Sequence, residues 1–301
     1  MYFASTVPDA PLFAAELWES LQRLKKKSST MQVFALVDMA FDGKLSRRVR
    51  HGRKGIAIAA TTPLSTLAEH LPHLQGPINS QGMVEFLLEN AGGKPMLSFV
   101  ASELEAGLLA QALKPLLLVE TDDGKRWPLR FADTRVLPEL LVLANETGLP
   151  MPAGIASWWW PDRRGKLGVS VPEEFNAEQT LFPDHLRFDD AQFARMLNAA
   201  QPDAVIDQLH RACPDILDRC PPHENFSKVR QALNKLPALC RDSSELDIRW
   251  SSLALSFDKP LWEIDWFHGA LKESQSTGEL LARLDGIPDN VWEQAVNEAV
   301  Q

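Results

Sequence analysis

The sequence has few cysteines and no long apolar run, and both absences narrow the classes of protein to which it can belong. Only three of the 301 residues are cysteines, without a CxxC pair among them: Cys213, Cys220 and Cys240. This odd, scattered set predicts free, mostly buried thiols in a reducing cytosol rather than a disulfide scaffold. The best candidate for a membrane span, residues 108–119, is interrupted by Gln111, Lys114 and Pro115. A span needs about 20 apolar residues, so none is predicted.

A secretory signal and an excess of positive charge are missing as well. The amino-terminal region lacks a basic segment followed by an apolar core, so we expect a cytoplasmic protein. The chain has 31 Lys and Arg residues against 40 Asp and Glu residues, which gives a formal net charge of −9. Because proteins that bind nucleic acid through its phosphates are usually basic, we expect no nucleic-acid partner.

The signatures of common catalytic sites are also absent. The string nearest to the nucleophile elbow G-x-S-x-G runs from Gly168 to Pro172; it lacks the final glycine and has a proline where a helix would begin. Gly92 and Gly93 are spaced wrongly for a phosphate-binding loop, and the chain has no HExxH string or zinc-like Cys/His spacing. We therefore expect a protein that is not an enzyme, with no catalytic, cofactor-binding or metal-binding residues.

Local patterns predict strands in the first half of the chain. The run 32–37 is short, apolar and rich in residues that favour strands, which indicates a buried strand. Ser102 and Glu105 have the spacing of a capping box at the start of a helix. Residues 122–125 have the composition of a hairpin turn between two further strands.

Helical spacing replaces these patterns from about Phe188 onward. We therefore expect an α/β (α+β) N-terminal lobe over residues 1–165, with a small mixed sheet flanked by helices. An all-α C-terminal lobe is expected over residues 166–301. The end of that lobe, from Glu263 onward, has eight acidic residues and two basic ones, which would steer a charged partner.

Three consecutive tryptophans, Trp158, Trp159 and Trp160, are the first candidates for binding a partner. In a regular strand at least one of the rings would face outward, and exposed tryptophan is a favoured interface residue. The alternative is a strand buried on both faces, or a plug between the two lobes.

The basic segment 41–55 is the second candidate. It has six Lys and Arg residues against one Asp, and includes Arg47, Arg48 and Arg50. Such a segment is either a surface for an acidic partner or a solvated loop.

Two sequence blocks carry a resemblance to a known family. The first, residues 34–38, reads Phe-Ala-Leu-Val-Asp and ends at Asp38. The second, residues 117–137, places an Asp-Gly turn before the string R-x-x-D-x-R-V-L, with matching residues Asp123, Gly124, Lys125, Arg130, Asp133, Arg135, Val136 and Leu137. In this order the blocks resemble the type VI secretion adaptor/chaperone family (Tap/TEC-type, domain of unknown function 4123). The similarity covers roughly residues 32–160, and Ala132 and Thr134 depart from the family pattern.

The resemblance implies a function in protein binding. Such adaptors bind a toxic effector in the cytosol and help to mount it on the VgrG spike, with or without a PAAR tip. It also implies that the motif residues are mainly structural: Asp38, Asp123, Gly124, Arg130, Asp133 and Arg135. Two alternatives stay open, namely an immunity-type or regulatory binding protein and a hydrolase with an unrecognised site.

Overall fold

The computed structural model describes residues 2–41, 55–171, 185–237, 240 and 243–297. The chain forms two compact units, an α/β unit of Ser5–Ala199 and a helical unit of Met1–Ala4 with Ala200–Gln301. Sheets flanked by helices precede a helix-rich C-terminal region, which confirms the predicted fold class. The strands at 167–170 and 186–188 follow the predicted division at residue 165, yet they belong to the α/β unit.

The α/β unit alternates strands and helices along the chain. In order, its elements are α1 (Ala10–Lys27), β1 (Gln32–Val37), β2 (Ile56–Ala57), β3 (His73–Gln75), α2 (Gln81–Ala91), β4 (Leu97–Ser102), α3 (Ala106–Leu113), β5 (Leu118–Thr121), β6 (Arg126–Pro128), α4 (Leu137–Thr147), β7 (Ile155–Pro161), β8 (Leu167–Ser170), β9 (Leu186–Phe188) and α5 (Asp190–Ala212). From Ala200 onward α5 belongs to the helical unit.

Two sheets organise this unit. The larger has the strand order β2-β3-β1-β4-β7-β8 and is antiparallel throughout. The smaller has the order β6-β5-β9, in which β5 pairs antiparallel with β6 and parallel with β9. The smaller sheet is therefore the mixed one, and the larger one has no parallel pair among the described strands.

The central strands of the larger sheet are buried on both faces. Every residue of β4 is buried. On one face, Val100 and Trp158 belong to the same core cluster as Leu109 of α3. On the other face, the ring of Phe99 lies 6.2 Å, between centroids, from the ring of Phe13 in α1. Helices thus cover the sheet on both sides.

Local sequence signals explain where the flanking helices begin and end. The Asp9 carboxylate accepts a hydrogen bond from the N–H of Leu12 at 3.0 Å, which caps α1. The Ser80 hydroxyl accepts from the N–H of Met83 at 3.3 Å and caps α2. Helix α2 ends at Gly92, whose φ of 59° is a conformation that glycine adopts without a steric penalty.

The helical unit contains the end of α5 and five further α-helices among the residues the structure describes. These are α6 (Pro222–Lys235), α7 (Ser244–Ser256), α8 (Asp265–Glu273), α9 (Thr277–Asp285) and α10 (Asp289–Asn297). Phe267 is the centre of the core, because the rings of Trp250, Phe257 and Trp266 all meet it edge-on at 5.0–5.9 Å. Such edge-to-face geometry is favourable for aromatic rings.

The first residues of the chain complete the helical unit. The Tyr2 ring stacks on His210 with 5.3 Å between centroids. The Asn225 side-chain amide donates to the Tyr2 hydroxyl at 3.1 Å and to the carbonyl of Leu217 at 2.7 Å. Asn225 is fully buried, so these hydrogen bonds offset the cost of removing its NH2 group from water.

Candidate functional site

The motif residues Asp38 and Arg130 meet at the carboxyl end of β1. Arg130 Nη2 lies 2.8 Å from Asp38 Oδ2, although the two residues are 92 positions apart in the sequence. The other carboxylate oxygen of Asp38 accepts from the N–H of Ala40 at 3.0 Å. The backbone N–H of Asp38 donates to the carbonyl of Met96 at 2.8 Å. Asp38 therefore joins the end of β1 to two other parts of the unit.

Asp133 and Arg135 extend this contact into a network. Arg135 binds Asp133 through two parallel hydrogen bonds, Nε to Oδ1 at 3.0 Å and Nη2 to Oδ2 at 2.7 Å. Arg130 Nη2 also lies 3.6 Å from Asp133 Oδ2, so one guanidinium bridges two carboxylates. The side chain of Asp133 is only 1% exposed. Bidentate pairs of this kind are among the stronger polar contacts in proteins.

Phe41 completes the network, and sequence reasoning missed it. The guanidinium carbons of Arg130 and Arg135 lie 4.5 Å and 5.6 Å from the centre of its ring, within the range of cation–π contact. We call this set the Asp38 cluster: Asp38, Phe41, Arg130, Asp133 and Arg135. It holds the chain immediately before residues 42–54. In the sequence, Phe41 is marked only by its position three residues after the Phe-Ala-Leu-Val-Asp block.

The electrostatics of the Asp38 cluster favour a structural role for most of it. Burial raises the pKa of the Asp38 carboxyl above its usual range, and the charge of Arg130 opposes that rise. Two aspartates and two arginines balance, so the cluster has no net charge to attract a ligand. The Arg130 side chain is 44% exposed, however, and a guanidinium has five N–H donors. Arg130 can therefore hold a carboxylate or carbonyl of a partner at the surface.

Asp123 and Gly124 lie in the turn between β5 and β6. Asp123 Oδ1 accepts from the Thr121 hydroxyl at 2.7 Å and from the Lys125 N–H at 3.2 Å. Hydrogen bonds from Lys125 and Thr121 lower the pKa of Asp123 to about 2. Gly124 has φ 75°, which a residue with a side chain adopts only with strain. These two residues shape the hairpin and do not belong to the Asp38 cluster.

The three tryptophans of β7 are buried. Trp158 is 2% exposed, Trp159 0% and Trp160 8%. Trp158 Nε1 donates to the Ser98 hydroxyl at 3.0 Å, and its ring meets Phe131 edge-on. The expectation that at least one ring faces outward is not met, because α1 and the helices of the opposite face cover both sides of the strand. The structure has the other alternative, a strand buried on both faces.

Gly168 explains how Trp160 fits at the edge of the sheet. The two residues are register partners in β8 and β7. A Cβ atom at position 168 would lie 2.6 Å from atoms of the Trp160 indole, closer than any real contact. Sequence reasoning used Gly168 only to reject a nucleophile elbow, although a lone glycine in a strand is a known sign of close approach.

The remaining predicted partner-binding residues, Arg47, Arg48 and Arg50, lie outside the described residues.

Within the described ranges, no group of three or more His, Cys, Asp or Glu side chains is arranged to hold a metal ion. No described helix combines the length and the apolar character needed to cross a bilayer. The cysteines Cys213, Cys220 and Cys240 are free.

A small cavity lies beside the N-terminal segment of the α/β unit. Its lining includes Thr6, Lys94 and Asp162, and its volume is about 20 Å³. That is room for about one water molecule, whereas pockets for small organic ligands have roughly 300–1,000 Å³. The cavity is therefore too small for an organic ligand.

In a comparison with protein families, residues 33–149 match a family model described as "Domain of unknown function (DUF4123)". The matched range lies inside the α/β unit and contains the six motif residues: Asp38, Asp123, Gly124, Arg130, Asp133 and Arg135. The helical unit lies outside the match. No curated protein and no solved structure matches the chain.

Proposed function

We propose that this chain is a non-catalytic adaptor of a type VI secretion system. It binds a toxic effector protein in the cytosol and loads it onto the VgrG spike, with or without a PAAR tip. The observation that carries the proposal is the match to the DUF4123 family model over residues 33–149, together with the motif blocks that this range contains. Adaptors of the Tap/TEC type are built on this domain.

The position of the Asp38 cluster, immediately before basic residues in the sequence, is the first support for the proposal. Its ion pairs and its stacked Phe41 fix the chain at residue 41. Residues 42–54 come next and include Arg47, Arg48 and Arg50. Basic side chains next to a fixed point suit an acidic surface of a partner, and they would raise the association rate more than the affinity.

The exposed apolar side chains of the α/β unit are the second support. They include Trp127, Val169 and Val171. Trp127 is 43% exposed and packs beside Phe193 with 5.8 Å between ring centroids. A partly supported, accessible indole is a favourable centre for an interface. In this proposal Trp127 takes the role that the buried tryptophans of β7 cannot fill.

Co-purification tests the proposal. The affinity-tagged chain is co-expressed with an inactivated form of the toxin encoded beside its gene and with the neighbouring VgrG, and the eluate is analysed by size-exclusion chromatography. We expect the toxin to co-elute with the chain and VgrG to join the complex. Trp127→Ala should weaken toxin binding at least about tenfold, whereas Trp292→Ala, which removes an indole of similar exposure in the helical unit, should not.

Two results would contradict the proposal. The first is that the wild-type chain retains neither the toxin nor VgrG. The second is that the chain abolishes the activity of the toxin inside the producing cell and is dispensable for its delivery, which would indicate an immunity-type binder. Robust turnover of any compound in a broad substrate panel would favour the hydrolase alternative.

A further inference from the structure

The outer edge of β8 has backbone groups that point away from the sheet. The N–H of Asp162 donates to the carbonyl of Lys166 at 2.8 Å, which fixes the hydrogen-bonded pairs of the β7–β8 hairpin. Because such pairs alternate in an antiparallel ladder, Gly168 and Ser170 bond to β7. The N–H and C=O groups of Leu167 and Val169 therefore face outward, and the same alternation, continued one residue beyond β8, predicts this orientation for Val171.

No other described strand pairs with this edge. β8 is the last strand in the order of the larger sheet, and the described backbone hydrogen bonds do not use the outward groups of residues 167, 169 and 171. The side chains of Val169 and Val171 are 52% and 62% exposed. An uncharged edge with exposed valines is a template for the addition of another strand.

The other sheet edges of this unit lack these properties. β2, at the opposite edge of the larger sheet, has only two residues. β6 contains Arg126 and Pro128, and β9 contains Arg187, whose side chain is 79% exposed. Short length, proline and charge are the features by which edge strands resist pairing. β8 is thus the one described edge in the α/β unit that is suited to receive a strand.

The charge beside β8 indicates what kind of strand it receives. The β7–β8 turn contains Arg163, Arg164 and Lys166 against a single acidic residue, Asp162. The Asp162 carboxylate accepts hydrogen bonds from the backbone N–H groups of Arg164 and Lys166, both at 2.8 Å, and so is used within the turn. One end of the edge is therefore positive, which complements acidic side chains in the incoming segment.

We infer that the outer edge of β8 is a docking site for an extended, acid-bearing segment of the toxin, which adds to the larger sheet as a further strand. Backbone hydrogen bonds to residues 167, 169 and 171 hold the segment, and its acidic end meets Arg164 and Lys166. The inference rests on the proposed adaptor function and specifies where the partner binds.

Hydrogen exchange at single-residue resolution tests this inference. In the free wild-type chain, the amides of Val169 and Val171 should exchange fast, while those of Gly168 and Ser170 are protected. In the complex with the inactivated toxin, Val169 and Val171 should become protected. Fast exchange that stays unchanged in a stable complex would overturn the inference while leaving the adaptor function intact.

Amide exchange in the chain without toxin gives two further results that would overturn the docking inference. If Val169 and Val171 are protected in the free chain at every concentration, another part of the same chain covers the edge. If their protection is lost on dilution, a second copy of the chain is the occupant. If the wild-type chain binds no toxin at all, the adaptor function itself fails, and this inference fails with it.

Two substitutions test the edge by affinity. Val169→Pro removes an outward N–H and leaves the ladder to β7 intact, because proline is tolerated where the N–H of an edge strand faces solvent. Val171→Glu replaces an exposed apolar side chain at the edge with a charge, which opposes the addition of a strand, and it does not depend on the tolerance of the strand for proline. Each should weaken toxin binding at least about tenfold. Val142→Glu, at an exposed valine of α4, is the matched control and should bind like the wild type. Equal affinity of all three variants and the wild type would overturn the inference.

Discussion

The contacts that stabilise the interior of the α/β unit differ in kind from those that stabilise the interior of the helical unit. In the α/β unit, Arg130 pairs with two buried carboxylates, that of Asp38 in a distant segment and that of the nearby Asp133. In the helical unit, aromatic rings surround Phe267, and the buried Asn225 binds backbone carbonyls and Tyr2. The charged residues of the Asp38 cluster form a recognisable string in the sequence, whereas the aromatic residues of the helical core occur only at helical spacing. This difference agrees with a family match that lies in the α/β unit alone.

Replacing one core tryptophan in each unit tests whether the two cores contribute equally to the stability of the fold. Trp158→Ala and Trp250→Ala each remove a nearly fully buried indole together with its N–H hydrogen bond, to Ser98 and to the carbonyl of Ala232. Each should lower the free energy of unfolding by about 3–5 kcal/mol. Calorimetry should show a fall in melting temperature of about 10 °C for each variant. Trp127→Ala, at an exposed position, is the control and should cost less than about 1 kcal/mol.

A melting temperature of Trp158→Ala within 2 °C of the wild type would contradict the burial of β7 on both faces. Such a result would favour the original hypothesis that the tryptophans of β7 bind a partner. A large effect in only one unit would show that the comparison of the two cores is wrong.

The second-largest effect on stability should come from the ion pairs of the Asp38 cluster, which belongs to the α/β unit. Arg130→Ala leaves the buried carboxylates of Asp38 and Asp133 without the guanidinium that bridges them. We expect a loss of about 2–3 kcal/mol in the free energy of unfolding, somewhat below the loss for a fully buried pair because Arg130 is partly exposed. Urea denaturation measures it. Arg126→Ala breaks the exposed pair with Glu120 and should cost less than about 1 kcal/mol. Equal losses for the two variants would mean that the Asp38 cluster is an ordinary surface network.

The hydrogen bond between Tyr2 and Asn225 in the helical unit should contribute less to stability than the ion pairs of Arg130. Tyr2→Phe removes the hydroxyl that accepts from Asn225 and keeps the ring that stacks on His210. Because the Asn225 amide retains the carbonyls of Leu217 and Cys220, the expected loss is only about 0.5–1 kcal/mol. Tyr2→Ala, which also removes the stacked ring, should cost more in the same urea titration. A loss for Tyr2→Phe as large as that for Arg130→Ala would remove the distinction between the units.

The smallest effect is a difference in titration between two aspartates of the α/β unit. The folded-state pKa of Asp123 is about 2, below its ordinary value of 3.8, so its contribution to stability is present above pH 4 and is lost as the pH falls through 2. The pKa of Asp38 is raised, so its carboxyl disfavours the folded state as the pH rises past the ordinary value. Carboxyl ¹³C NMR at pH 3 should find Asp123 ionised and Asp38 protonated. The reverse order would show that burial does not govern Asp38.

Local sequence signals account for several elements of the fold. The Asp9 cap, the four-residue spacing of Phe13, Leu17 and Leu21, and the terminal lysines define α1. The Asp-Gly pair at 123–124 defines the hairpin between β5 and β6. Each of these features depends on residues within a few positions of one another, and such interactions are visible in a sequence.

Features that depend on distant partners could not be predicted. Ser102 and Glu105 have the spacing of a capping box, yet the Ser102 hydroxyl donates to the carbonyl of Gly154 at 2.6 Å, and Glu105 begins α3 without a side-chain cap. The exposure of Trp158 to Trp160 depends on helices far along the chain. The contact between Asp38 and Arg130 joins two blocks that are far apart in the sequence. The position of β8 at the edge of the larger sheet, among the described strands, follows from the strand order.

The most direct test of the adaptor function is a delivery assay between bacterial cells. The strain lacking this chain should fail to kill toxin-sensitive neighbours, although the secretion apparatus still fires and the toxin is still made. The wild-type chain and the Val142→Glu control should restore killing, because neither changes the proposed binding surface. Undiminished, toxin-dependent killing by the deletion strain would contradict the account.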